Sequence, residues 1–282
     1  IKQNGVFIKY IENPSYELQL MAIRQNCFAI INIDSPSEEL YLEAVRQDCD
    51  VLEYIKNPSE KVQLEAVGND GMAIKYIKNP SEKVQLEAVK NYGMAIKYIK
   101  NPSEKVQLEA VKKSGFAIKY IKNPTKEMEL EAVKSFGLSI QYIKNPSYEM
   151  KLEAVKQDGY AIQYINNPSY ELQLEAVKQD GYAIQYINNP TEELEIEAIK
   201  QDCRAINIMN NPRKKIKDMV DIIQREYRKL YVLKLDNGEY RFSIGCQKNI
   251  TKEEFLDRIY NENGGLKNNP HRQEYLDILK RY

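Results

Sequence analysis

Proline recurs at residues 14, 36, 58, 80, 102, 124, 146, 168, 190 and 212, always 22 residues apart and without insertion. A fixed period of this length marks a solenoid array, in which each supersecondary unit buries its apolar face against its neighbours instead of in one shared core. Two 17-residue strings, AIKYIKNPSEKVQLEAV from Ala73 and Ala95 and LEAVKQDGYAIQYINNP from Leu152 and Leu174, occur twice verbatim, so whole units have been duplicated. The period ends after Pro212. The fold class expected is an all-α solenoid of 22-residue helix–turn–helix repeats over residues 1–212, with a capping helix at 213–230 and a small α+β domain at 231–282.

One unit read from Asn79 shows the grammar. Asn79 is expected to cap a helix, with Pro80 at its first position and Glu82 reaching back to the capping amide. Val84, Leu86, Ala88 and Val89 then form an apolar arc, while Lys83, Glu87 and Lys90 face solvent. Gly93 is expected to end this helix in a left-handed conformation. A second helix of about two turns carries Ala95, Ile96 and Ile99 on one face and Met94 with Tyr98 on another, until the next Asn-Pro stops it. Helices this short are marginal alone in water, so stacking must supply their stability. Ile1 aligns with Ile23 and Val45, so the chain starts inside a repeat and a capping element is expected upstream.

After Pro212, Ile216, Met219, Val220, Ile223, Tyr227 and Leu230 fit the stripe of one longer helix. Residues 231–235 and 239–244 read as strands joined at Asp236-Asn237-Gly238, a strong hairpin signal. Thr251 with Glu254 makes a capping box that opens a helix to about Tyr260. Gly264-Gly265 is expected to break it, and Asn269-Pro270 to start a last helix.

The Asn–Pro start, the E-A-V string and the short second helix, in units of just over twenty residues, resemble the leucine-rich-repeat-variant and HEAT-like families. The resemblance covers residues 1–212 and implies an array that binds proteins or, in some members, nucleic acid. The string from Tyr240 to Cys246, followed by Thr251–Phe255, is similar to a hairpin-plus-helices module ending bacterial and phage repeat proteins. That resemblance implies a phage or mobile-element origin and a decoy or inhibitor role.

Catalytic chemistry is thinly represented. His271 is the only histidine and no C-x-x-C pair exists, so neither a metal nor any other cofactor is expected. Cys27, Cys49 and Cys203 occupy the slot that glycine fills in other units and read as small-residue substitutions with reduced thiols. Cys246 reads as a buried residue closing the hairpin, and His271 as a surface residue. No apolar run approaches the roughly 20 residues of a membrane span, and no positively charged start followed by an apolar stretch marks a secretory signal. The expected location is cytoplasmic, and no enzyme activity is expected.

Candidate contact residues are therefore those that repeat on a face or break the pattern. Tyr76, Tyr98 and Tyr120 are flanked by Lys75 and Lys78, Lys97 and Lys100, and Lys119 and Lys122. Interleaved cations and aromatics suit a nucleic-acid backbone and its bases, whereas aromatic spacing along one face suits packing between repeats with the hydroxyls at the edge. Departures from the consensus at Asn32, Asp34, Tyr41 and Asp50, and at Arg204 and Asn207, are weaker candidates for contacts with a protein partner. Arg213, Lys214, Lys215, Lys217, Arg225, Arg228 and Lys229 form the one basic cluster. Residues 213–282 carry a formal charge of +5 and the repeats −5, neither of which is the strongly basic footprint of a dedicated nucleic-acid binder. The leading expectation is a non-catalytic protein-binding scaffold or inhibitor using a solenoid face and the C-terminal domain; nucleic-acid binding is the alternative.

Overall fold

The computed structural model of the chain describes residues 5–224, 229–244, 247–260 and 272–282. It forms two compact units, Ile1–Lys144 and Asn145–Tyr282. The expected fold class holds: ten-residue α-helices such as Glu82–Asn91 and Tyr170–Gln179 alternate with short helices such as Gly93–Tyr98 and Gly181–Tyr186, and a small sheet with helices follows.

Within a unit, each long helix packs on the long helices before and after it, and each short helix on those beside it. Val84, Ala88 and Val89 from the long helix, Ala95 and Ile96 from the short one and Ile99 just after it are the buried set, repeated in register from repeat to repeat. Burying one such valine or isoleucine is worth about 1.5–3 kcal/mol. That exceeds the few tenths of a kcal/mol by which helix propensities differ, so neighbour packing, not intrinsic preference, holds these short segments helical.

Several local expectations are corrected. The residue that caps the long helix is not Asn79 but Ser81, whose hydroxyl accepts from the Val84 amide at 3.4 Å, and the helix starts at Glu82. The Asn–Pro pair lies upstream as a reversal: Asn13, Asn101, Asn167, Asn189 and Asn211 take φ between 48° and 58°, a region asparagine tolerates when a following proline disfavours right-handed helix. Gln85 then donates from Nε2 to the Pro80 carbonyl at 2.9 Å, a bond repeated by Gln63 and Gln107 on Pro58 and Pro102.

The second helix is 3₁₀, six residues long, and begins at the glycine slot. Its cap is the residue before, as when Asp70 accepts from the Met72 amide at 2.8 Å. The glycines there are not left-handed. They are required because a Cβ at Gly71 or Gly93 would lie 2.3 or 2.6 Å from the carbonyl oxygen of Ala88 or Ala110 in the next long helix. Close approach of backbones, not a turn, selects the small residue. In a 3₁₀ helix residues three apart eclipse, so Met94 and Tyr98 do not share a face as α-helical spacing would give. Aromatic pairing runs between repeats instead: Phe28 meets Tyr54, Phe116 meets Tyr142 and Tyr160 meets Tyr186, ring centroids 5.7–6.0 Å apart and close to perpendicular.

The capping helix expected over 213–230 is short. It spans Lys214–Met219, and Val220–Gln224 is instead the first strand, β1. The apolar residues at 216, 219, 220 and 223 fit a helical stripe equally well, but β1 finds an antiparallel partner in β2, Lys229–Lys234, with Val220 opposite Leu233. With β3, Tyr240–Ile244, and β4, Gln247–Ile250, these strands form a four-stranded sheet in sequence order. The hairpin at Asp236-Asn237-Gly238 is present, closed by Leu235 N–H to the Glu239 carbonyl at 2.8 Å, with Gly238 at φ 86°. The capping box is present as well: Glu254 accepts from the Thr251 amide at 2.7 Å and Thr251 from the Glu254 amide at 3.0 Å. Leu230, Val232, Phe242 and Ile244 of the sheet pack on Phe255, Tyr275, Ile278 and Leu279 of the helices Lys252–Tyr260 and Arg272–Leu279. The expected break at Gly264-Gly265 and the start of the last helix at Asn269-Pro270 lie outside the described residues.

The sheet is not separated from the last repeat by a linker. Asn249 donates to the carbonyls of Ile199 and Lys200 at 3.2 and 2.7 Å and accepts from the Cys203 amide at 3.3 Å. Asn207 donates to the Tyr231 hydroxyl at 2.7 Å.

Candidate functional site

The 3₁₀ helices Gly71–Tyr76, Gly93–Tyr98 and Gly115–Tyr120 each end in Lys-Tyr, and the stacking of repeats sets those pairs in a column. The buried Ala and Ile two and three positions after each glycine fix the rotation of the short helix, and that rotation leaves the lysine and tyrosine outward. Tyr98 and Tyr120 are 38% and 41% exposed.

The lysines fold back over the rings. Lys75 Nζ lies 4.5 Å from the Tyr76 centroid, Lys97 Nζ 4.7 Å from that of Tyr98, and Lys119 Nζ 6.0 Å from that of Tyr120 and 5.7 Å from that of Tyr142. Contacts of this kind are worth about 0.5–1 kcal/mol at exposed sites. The Tyr98 hydroxyl beside Lys97 raises the lysine's pKa, and Tyr76 does the same for Lys75, so both remain cationic.

Sequence reasoning placed Asp50 and the Lys75–Tyr76 pair in separate candidate sets, and the structure joins them. The Tyr76 hydroxyl donates to Asp50 Oδ1 at 3.0 Å, and Lys75 Nζ lies 3.8 Å from the same oxygen. The signal was in the sequence: Asp50 stands 26 residues before Tyr76, the same offset as the Phe28–Tyr54 and Phe116–Tyr142 ring pairs. The period alone did not say that this offset means contact.

Of the other pattern-breaking residues, Arg204 and Asn207 have local partners. Arg204 is half-buried on Asp202, Nη2 2.6 Å from Oδ2 of a carboxylate with no exposure, and Lys248 approaches that oxygen at 3.7 Å. Asn207 is committed to Tyr231. Asn32 and Asp34 are exposed and, with Lys9, Tyr10, Glu12 and Gln19, line a cavity of about 630 Å³. Tyr41 is half-buried.

The basic cluster does not form one helical face, because the helix that would carry it ends at Met219. Arg213 is paired with buried Glu195 at 2.8 Å and Lys215 with Glu192 at 2.8 Å. Lys214 and Lys217 are exposed, Lys229 is exposed at the start of β2, and Arg225 and Arg228 lie outside the described residues.

The family whose model matches is described as "Domain of unknown function (DUF4116)". It matches residues 125–170 and 147–194, two overlapping stretches inside the repeats. No curated protein and no solved structure matches the chain.

Two sets of groups that could do chemistry lie among the described residues, at Cys203 and at Asp48–Asp50. Burial pushes the Cys203 thiol up to about 12, against a hydrogen bond to Ser243 at 3.2 Å that lowers it. Asp48, Cys49 and Asp50 bring ligand-type atoms within 4.8 Å of one another. Their carboxylates already have partners: Asp48 accepts from the Asp50 amide at 2.9 Å, and Asp50 is held by Tyr76 and Lys75. Burial, then the neighbouring carboxylates, raise the Cys49 pKa and so disfavour the thiolate that a metal would need. Cys246 and His271 lie outside the described residues. Among the described residues no helix is long and apolar enough to cross a membrane.

Proposed function

We propose that the chain is a non-catalytic protein-binding scaffold or inhibitor that presents the 3₁₀-helix face of its repeats, together with its C-terminal sheet module, to a protein partner. The observation that carries this reading is the column of outward Lys-Tyr pairs at 75–76, 97–98 and 119–120, a surface repeated from unit to unit with its backbone fixed by buried neighbours. A repeated surface suits an extended partner; a reaction centre needs groups that occur once and converge. The resemblance of the repeats to leucine-rich-repeat-variant and HEAT-like arrays supports the same reading, and a cytoplasmic setting goes with it. Native isolation of the tagged full chain, followed by light scattering of the eluted complex, tests it. A stoichiometric protein complex is the expected result, and a chain that elutes alone under every condition sinks the proposal.

The same column supports a second reading, nucleic-acid binding, because cations and aromatics alternate along it. Phosphate-led binding requires affinity that falls steeply with salt, which titration of a labelled oligonucleotide at two salt concentrations measures.

A further inference from the structure

The chain contains its own demonstration of what a Lys-Tyr pair on this face can hold. At Lys75–Tyr76 the occupant is the Asp50 carboxylate, taken by the phenol at 3.0 Å and the ammonium at 3.8 Å. One repeat further on, the same two side chains recur as Lys97–Tyr98, and then as Lys119–Tyr120, with the lysine again laid over a tyrosine ring. The residue that stands to them as Asp50 stands to Tyr76 is Met72 in the first case and Met94 in the second. The 3₁₀ helices GMAIKY, GMAIKY and GFAIKY carry no carboxylate. Among the described residues, Lys97 and Lys119 have no ion-pair partner, and neither do exposed Lys100 and Lys122 beside them. On the long-helix face, Arg24 and Arg46 do have carboxylates of the chain, Arg24–Glu43 at 3.0 Å and Arg46–Glu65 at 2.9 Å across repeats.

We propose that Lys97–Tyr98 and Lys119–Tyr120 are two carboxylate clamps that hold successive acidic side chains of an extended segment on the partner protein. This rests on the scaffold reading and names the chemistry of its partner. Neighbouring helices pack about 8–10 Å apart and an extended chain advances about 3.3 Å per residue, so the clamps match acidic residues about three apart. The Lys97 ammonium, 4.7 Å from the Tyr98 centroid, occupies a ring face that base stacking would need, which favours carboxylates over a nucleic acid.

The test is fluorescence anisotropy on the full chain with a labelled peptide of four Glu-Gly-Ser triplets, its Gln-Gly-Ser counterpart and a labelled oligothymidylate. The Glu peptide is expected to bind and the Gln peptide not to. Lys97→Gln is expected to weaken binding about fivefold, the scale of one exposed ion pair, and Lys97→Gln with Lys119→Gln to remove it. Met72→Asp keeps every lysine but supplies Tyr98 with a carboxylate of the chain itself, so it should weaken the Glu peptide as Lys97→Gln does. Gly68→Asp adds the same charge on the long-helix surface, where a Cβ meets nothing closer than 4.0 Å, and should leave binding unchanged. Equal effects of Met72→Asp and Gly68→Asp would overturn the clamps in favour of diffuse electrostatics, equal binding of the two peptides would overturn them outright, and preferential binding of the oligothymidylate would pass the surface to the nucleic-acid reading. Retention of the native partner by the folded Lys97→Gln, Lys119→Gln chain also overturns the clamps, while leaving the scaffold reading standing.

Discussion

In the repeats the decisive contacts join residues about one repeat apart or closer, as when Gly71 lies against the Ala88 carbonyl and Ser81 receives the Val84 amide. In the C-terminal module they join residues far apart in the chain: Leu230 and Phe242 pack with Ile278 and Leu279, and Asn249 reaches back to Ile199. The first arrangement makes stability a sum of similar neighbour terms, and the second makes it one cooperative core. Damage to the array should therefore stay near its site, whereas damage to the module should spread through it.

The largest test of this contrast is Phe242→Ala. Phe242 is fully buried and stacks on Phe255 at 5.4 Å, so its truncation should cost about 3–5 kcal/mol. Amide exchange protection should disappear throughout the described parts of 229–282 while that of Val84 and Val89 stays; loss at both places would break the comparison. Next comes Asn249→Gly, which keeps the φ of 44° available but removes the side-chain bonds to Ile199, Lys200 and Cys203. A cost of roughly 2–3 kcal/mol is expected, read as a sheet transition that separates from that of the last repeat in urea unfolding. Gly71→Ala should cost about 1–3 kcal/mol through forced displacement of the next helix, whereas Gly68→Ala, with open space around its Cβ, should gain about 0.5–1 kcal/mol. Thermal melts of the two variants compare them directly, and shifts of the same sign would remove the close-approach argument. Ser103→Ala, which deletes one cap among many, is expected to cost only about 1 kcal/mol.

The last effect is confined to alkaline pH. Cys203 ionises at about 12 in the folded chain against 9.0 as its ordinary value, so the unfolded state loses its proton first. Stability owed to the protonated thiol is complete below about pH 9 and declines as pH rises toward 12. Urea midpoints at neutral and strongly alkaline pH should differ less in Cys203→Ala than in the parent chain, and an equal difference would show that the thiol is not a contributor.

The proline period made the repeats legible, because one misplaced residue would have put apolar side chains on the solvent face. The Asn-Gly hairpin and the Thr251–Glu254 box were legible for a related reason, each being closed by residues a few positions apart. What stayed illegible depended on partners outside the window. Residues 220–224 match a helical stripe until β2 supplies a strand to pair with, and the basic cluster at 213–229 dissolved with that helix. At 71 and 93 glycine is consistent with a left-handed stop until the neighbouring Ala88 and Ala110 carbonyls come into view. Asp50, Lys75 and Tyr76 could be flagged one by one, but their union needed the distance between repeats.

By itself, then, the sequence determined the length of the unit, its two-helix alternation and the inward set of valines, alanines and isoleucines, because these follow from periodicity and from the cost of exposing apolar surface. The tertiary structure decided that the second helix is 3₁₀, why its first residue is small, and which lysines have a carboxylate of their own. Those are matters of how closely one backbone approaches the next, a quantity set by packing and written in no single repeat.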